Sequence, residues 1–263
     1  MKKKISITID DSLLKEVDRI IDNIYIRNRS QAIEHLIKNA VGENRNAVIL
    51  AGGDPKDIEI APGIYAPVTK VGKYTVIEQA IRKLRKNGFK NIFIISRHKV
   101  LTKIFSVIKD GSTYGININY IEEKNTGGTA DSLRLIKGKI TTRFLVVYGD
   151  IIFNKVNIND IWDDHIKHNV VATIMLVTCS KPSEKGTVKL EGNRVIKFMQ
   201  KPRRSDTYLV FSPIFVTEPE ILEYEGKSLE KDIFPMLAEQ GLLNGYHSSE
   251  REIHIHKKGG QLS

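Results

Sequence analysis

AVILAGG, residues 47–53, is an unbroken apolar run that ends on two glycines. Such a run, bounded by glycine, reads as a strand buried on both faces of a sheet. A strand that opens onto Gly52–Gly53 suggests a phosphate or nucleotide site, because glycine lets backbone approach a ligand closely. Downstream, strands and helices alternate. NIFIIS (91–96), NINYI (117–121), FLVVY (144–148) and VVATIMLV (170–177) read as strands, and residues 75–87, 99–109 and 129–139 read as helices between them. This is the βαβ rhythm of an α/β fold, a doubly wound, mostly parallel, Rossmann-like sheet. Shorter strands follow at 187–190, 194–199 and 208–216, with a helix near 229–241.

Upstream, the pattern changes. Residues 4–9, KISITI, set Ile5, Ile7 and Ile9 on one face and Lys4, Ser6 and Thr8 on the other, which predicts a half-buried strand. Asp10 or Asp11 is placed to cap a helix carrying Leu13, Val17, Ile20 and Ile24. Ser30 is placed to cap a second helix, with Gly42 at its end. The chain therefore divides into residues 1–44 and 45–263, joined by GENRN at 42–46. A strand and two short helices bury too little to stand alone, and the strand has no partner. Pairing with a second copy answers both needs and implies a homodimer or higher homo-oligomer.

The 263 residues suffice for a full α/β core beside a small module. No apolar run is long enough to span a bilayer, so no membrane partner is expected. The single cysteine, Cys179, suits a reducing cytoplasm. A net charge of +10 favours polyanionic partners.

KISITIDDSLLKEVDRI and NRSQAIEHLIKNAV resemble the ribbon-helix-helix regulators of bacteria and archaea. That resemblance implies a DNA partner. Lys4, Ser6 and Thr8 would read base edges, and Arg27, Arg29 and Ser30 would hold a phosphate.

The longer part resembles the nucleotide-sugar pyrophosphorylases, a nucleotidyltransferase fold. The motifs occur in family order: AVILAGG, INYIEEKNTGGTADSLRLI, FLVVYGD, KGTVKLEGNRVIKFMQKP and SLEKDIFPMLAEQGLLNGY. The resemblance implies ligand contacts at Ala51, Gly52 and Gly53, a base-contacting segment at Gly128, Thr129 and Ala130 with Glu123 before it, Mg²⁺ held by Asp150, and a sugar phosphate held by Lys201. It also exposes a departure. The family's arginine and Pro-Lys lysine after the glycine pair are missing, and Asp54, Asp57 and Glu59 stand there instead, with Tyr65 near the lysine's place and Lys56 and Lys70 out of register. The family's second metal aspartate falls near His256; His254 and His256 alternate along one face of a strand and could bind a metal, the plainer reading being an open edge strand with exposed histidines. A lost phosphate clamp argues against catalysis. The expectation is a DNA-binding transcriptional regulator whose body binds a nucleotide, sugar phosphate or nucleotide-sugar as effector. The alternative is an active sugar-phosphate nucleotidyltransferase with an N-terminal assembly or tethering module.

Overall fold

The computed structural model describes residues 4–24, 26–41, 45–53, 58–124 and 126–255. The chain falls into two compact units, Met1–Asn44 and Arg45–Ser263.

In the first unit, α1 (Asp11–Arg19) starts where Asp10 accepts a hydrogen bond from the Ser12 N–H at 2.9 Å. The helix α2 (Arg29–Val41) starts two residues earlier than expected, so Ser30 lies in its first turn and the Asn28 side chain accepts the Gln31 N–H at 3.0 Å instead. Asn28 is as good a cap as serine, which is why the boundary moved. The strand expected at 4–9 is not formed: residues 4–10 have no strand assignment, and Ile5 and Ile7 are 69% and 53% exposed. A single chain offers that segment no ladder to join. Gly42 lies outside the described residues.

The second unit opens with β1 (Arg45–Leu50). Two small hairpins follow, β2 (Glu59–Ala61) with β3 (Ile64–Tyr65) and β4 (Lys70–Val71) with β5 (Tyr74–Thr75). Then come α3 (Val76–Lys86), β6 (Phe89–Ser96), α4 (His98–Ile108), β7 (Asn117–Glu122), α5 (Thr129–Arg134), β8 (Phe144–Tyr148), β9 (Ile151–Ile152) and α6 (Ile158–Lys167). The remainder is β10 (Ala172–Thr178), β11 (Gly186–Glu191), β12 (Arg194–Gln200), β13 (Leu209–Thr217), a π-helical turn (Leu229–Ile233), α7 (Phe234–Glu239), β14 (Leu243–His247) and β15 (Ile253–His254). Helix α3 shows how firmly the local sequence acts. Thr75 and Glu78 form a reciprocal capping box, and Ile77, Ile81 and Leu84 fall on the buried face.

Nine strands form one sheet in the order β10-β14-β12-β11-β13-β8-β1-β6-β7. Strands β8, β1, β6 and β7 run parallel, as the apolar runs imply. The other half is mixed: β13 is antiparallel to β8 and to β10, β11 and β12 form an antiparallel hairpin, and β14 runs parallel to β10. The sheet is therefore mixed rather than mostly parallel: the tight turn after β11 makes a hairpin with β12, and β13 runs against both β8 and β10. Successive residues of β1 face opposite sides. Ala47 and Ile49 pack with residues of α3, α4 and α6, while Val48 and Leu50 pack with residues of α5 and α7. Burial on both faces is what made AVILA a continuous apolar run.

Candidate active site

The register of the parallel strands decides where the site lies. Leu50 on β1 is level with Ile95 on β6 and Tyr148 on β8, and Ser96 on β6 is level with Glu122 on β7. The residues just beyond these strand ends, Ala51, Arg97, Glu123 and Gly149, therefore share one edge of the sheet. That carboxyl edge is where open α/β sheets hold ligands. A cavity of about 700 Å³ opens there. The β1 end lines it with Leu50–Gly53, the β7 end with Glu123 and Thr126–Thr129, and the β8 end with Tyr148–Asp150. Arg97 and Ser132 also line the wall.

Its walls are tied together. The Ala51 N–H donates to the Ile95 carbonyl at 2.9 Å, and the Gly149 N–H donates to the Leu50 carbonyl at 2.8 Å. Glu123, only 3% exposed, accepts from the Ser132 hydroxyl at 2.9 Å, from the Gly53 N–H at 3.3 Å and from the Thr126 hydroxyl. One buried carboxylate thus braces the glycine loop against the segment that opens α5, and its hydrogen bonds offset the cost of desolvating it. Glycine is required at 52, because a Cβ there would lie 1.7 Å from Glu123 Oε2. It is required at 128 as well, where a Cβ would lie 2.5 Å from the Lys227 carbonyl oxygen.

Of the expected ligand residues, the fold brings Ala51, Gly52, Gly53, Glu123, Gly128, Thr129 and Asp150 to one cavity. Ala130 is buried beside it in the core and is not part of its lining. Lys201 does not join them: it is exposed and in a left-handed conformation (φ 46°), with its N–H donating to the Lys185 carbonyl at 2.9 Å. Asp54, Lys56, Asp57 and His256 lie outside the described residues. Glu59 accepts the Gly63 N–H within its own hairpin, Tyr65 is buried in the core, and Lys70 is exposed on β4. Arg97 and Tyr148 were not anticipated. Arg97 is the only lysine or arginine among the described lining residues, and its Nη1 donates to the Lys124 carbonyl. Its position, first after an apolar strand at the ligand edge, is the signal that would have found it.

Near Asp150, the Ile255 N–H donates to the Asp150 carbonyl at 2.9 Å and β15 pairs with β9. There, Glu252 is 2% exposed and meets His254 Nε2 at 2.9 Å, the Ser212 hydroxyl at 2.5 Å and Lys185 Nζ at 3.4 Å. Burial alone would raise its pKa. The bonds to His254 and Ser212 and the charge of Lys185 outweigh burial and hold it at about 2. His254 is therefore committed to this cluster rather than standing on an open edge. A carboxylate depressed below its ordinary 4.5 stabilises the fold above that value, and the contribution drains away as pH falls toward about 2. The urea-midpoint difference between wild type and Glu252→Gln should be large at pH 7 and shrink steadily between pH 4.5 and pH 3. A difference that does not change with pH would show that Glu252 is not ionised in the native state.

A family model for nucleotidyl transferases matches residues 46–250.

The chain belongs to the nucleotidyl transferase family.

Its matched relatives include a mannose-1-phosphate guanyltransferase of Yarrowia lipolytica, 27% identical over 180 residues, which span 65% of this chain and 49% of that protein. The mannose-1-phosphate guanylyltransferase catalytic subunit beta of Danio rerio is 25% identical over 206 residues, 75% of this chain and 57% of that one. The chain spans about half the length of these curated relatives. Among solved structures, a Bacillus anthracis crystal structure named for glucose-1-phosphate thymidylyltransferase superposes with a TM-score of 0.72 at 20% identity, covering 81% of this chain and 91% of the other. The nucleotidyltransferase α/β fold is thus established.

These findings overturn the expectation of a DNA-binding transcriptional regulator with a ligand-sensing body. The relatives are named as sugar nucleotidyltransferases, and nothing among them supports DNA binding. In the first unit, Arg29 gives its guanidinium to Asp18 through bonds of 2.7 and 2.8 Å, Arg27 Nε donates to the Ile24 carbonyl at 3.2 Å, Lys4, Ser6 and Thr8 lie on no strand, and Ser30 lies in the first turn of α2.

Proposed function

We propose that the chain transfers a nucleotidyl group from a nucleoside triphosphate to a sugar 1-phosphate, releasing pyrophosphate. The observation that carries this reading is the gathering of Gly52–Gly53, Glu123, Gly128–Thr129 and Asp150 around one cavity at the carboxyl edge of the parallel strands. In the reaction, an oxygen of the sugar phosphate attacks the α-phosphorus in line and the α–β phosphoanhydride bond breaks. The protein's task is to position the reactants and offset their charge. Gly52 and Gly53 leave room for phosphates against the backbone. Arg97 adds a guanidinium to a wall that otherwise carries Glu123 and Asp150. That placement answers the missing loop arginine: positive charge reaches the cavity from β6 instead. Asp150, half-buried in the wall, fits Mg²⁺, which takes one or two protein carboxylates and fills its shell with substrate phosphates and water. When bound, Mg²⁺ would neutralise phosphate charge. Lys201 stays outside this assignment. The direct test is pyrophosphate release from the full chain with Mg²⁺, using GTP and dTTP against mannose 1-phosphate and glucose 1-phosphate. Release with no pair would sink the reading.

The first unit serves assembly in this reading. Ile5, Ile7, Leu13 and Ile24 are all more than half exposed on a unit with little core of its own. Antiparallel pairing of residues 4–9 with the same segment of a second copy would give those backbone groups a ladder and cover the isoleucines. Sedimentation equilibrium should show a concentration-dependent dimer, and Ile5→Asp with Ile7→Asp should leave monomer with the Arg45–Ser263 unit still folded. A dimer unchanged by both substitutions would place the contact elsewhere.

A further inference from the structure

We propose that Glu230 sets the hydrogen-bond polarity of one cavity wall, turning Tyr148 and Thr129 into acceptors, so that this wall binds a hydroxyl group of the substrate and not a phosphate. The inference rests on the nucleotidyltransferase reading of the cavity.

Glu230 sits in the π-helical turn Leu229–Ile233, a rare geometry that frequently occurs at functional sites. It is 9% exposed. Its carboxylate accepts from the Thr129 hydroxyl at 2.8 Å, from the Ser228 hydroxyl at 2.9 Å and from the Tyr148 hydroxyl. The turn that carries it is pinned at its start. Asp232 accepts the Lys227 and Ser228 N–H groups at 2.7 and 2.9 Å, and the Ala130 N–H donates to the Lys227 carbonyl at 2.9 Å.

The consequence is chemical. A hydroxyl has one proton to give. Tyr148 and Thr129 both line the cavity, and both give that proton to Glu230. Thr129 Oγ1 also accepts the Leu229 N–H at 2.8 Å and lies against the Tyr148 hydroxyl, so the lone pair left to face the cavity is on Tyr148. What Tyr148 offers the cavity is therefore an acceptor. A phosphate oxygen, itself an acceptor, gains nothing there, whereas a hydroxyl can donate. Burial, with Glu230 beside it, also pushes the phenol well above its ordinary pKa, so the ring keeps the proton it gives to Glu230. Glu230 is a positioning residue in this account, since it acts through the two hydroxyls.

Two sources of a hydroxyl are open, the acceptor sugar and the ribose, and one experiment separates them. The kcat/KM of the full chain is measured with Mg²⁺, mannose 1-phosphate and glucose 1-phosphate, their single-position deoxy analogues, GTP, and 2′-deoxy and 3′-deoxy GTP. Wild type is compared with Tyr148→Phe and Glu230→Gln, after thermal unfolding shows each variant folded. One deoxy position should cost wild type about tenfold or more, because it leaves a buried acceptor unpaired. The same deletion should cost Tyr148→Phe less than about twofold, a cancellation that a purely structural role would not produce. Glu230→Gln should lose the discrimination as well, since an amide N–H against Tyr148 frees its proton to face the cavity. The position that cancels identifies sugar or ribose. Equal penalties in wild type and Tyr148→Phe at every position overturn the proposal. If no pair turns over, the reaction reading fails by itself, and calorimetric binding of GTP and its deoxy forms then decides the wall by the same cancellation; lack of any binding overturns both.

Discussion

Replacing Asp150 with asparagine should lower the rate of pyrophosphate release by about 10³-fold while leaving the melting temperature close to wild type. The size follows from what the carboxylate is asked to do. Asn keeps the volume and a carbonyl oxygen but removes the negative charge that attracts a divalent cation. The developing charge on the phosphoryl oxygens then loses several kcal/mol of stabilisation. The structural cost should be small, because the bond that anchors this residue runs from the Ile255 N–H to the Asp150 backbone carbonyl, not to its side chain. The assay is steady-state turnover across a Mg²⁺ titration. A variant within tenfold of wild type at saturating Mg²⁺ would remove Asp150 from the reaction.

The largest loss of stability should come from Phe234→Ala, about 3–5 kcal/mol. Phe234 is fully buried at the start of α7, and its ring meets those of Phe198, Phe211 and Phe215 edge-on at 5.3–5.4 Å between centroids. Truncation leaves a cavity among three aromatic rings carried by β12 and β13, and the rigid strands cannot collapse to fill it. Since Phe234 follows the turn that holds Glu230, activity should also fall at temperatures where the fold is still intact. Urea unfolding of the full chain measures the first effect. A loss below about 1.5 kcal/mol would mean the ring cluster repacks.

The fold was legible where burial is two-sided. The apolar runs ending at Leu50, Ile95 and Tyr148 announce parallel strands, and the parallel register carries Gly52, Glu123 and Asp150 to one edge. The antiparallel half was less so. A residue's alternation does not say which partner completes the ladder, and β10 pairs with both β13 and the distant β14. Helix α6 escaped notice because INDIWDDHIK mixes charges among its buried Ile158, Ile161 and Trp162. The acidic segment after Gly53 is a poor guide to function for a physical reason: a cavity gathers charge from any strand end, and Arg97 comes from β6. Glu230 lies in a stretch read as plain helix, and its partner Tyr148 stands 82 residues away, a distance no local pattern spans.

The brace between Tyr148 and Glu230 also bears on how the protein is made. The glycine loop leaves the ribosome long before the residue that orders the opposite wall, about 180 residues earlier, or roughly 10–35 s at ordinary elongation speeds. Once β8 is made, β1, β6, β7 and β8 can already pair, and until β13 follows the other side of β8 has no partner. A nascent chain at this stage holds a half-built pocket beside an open hydrophobic edge. The maturation of the binding wall thus waits on the synthesis of Glu230, and chains truncated before Glu230 should emerge as clients for chaperones and proteases rather than as weakened enzymes.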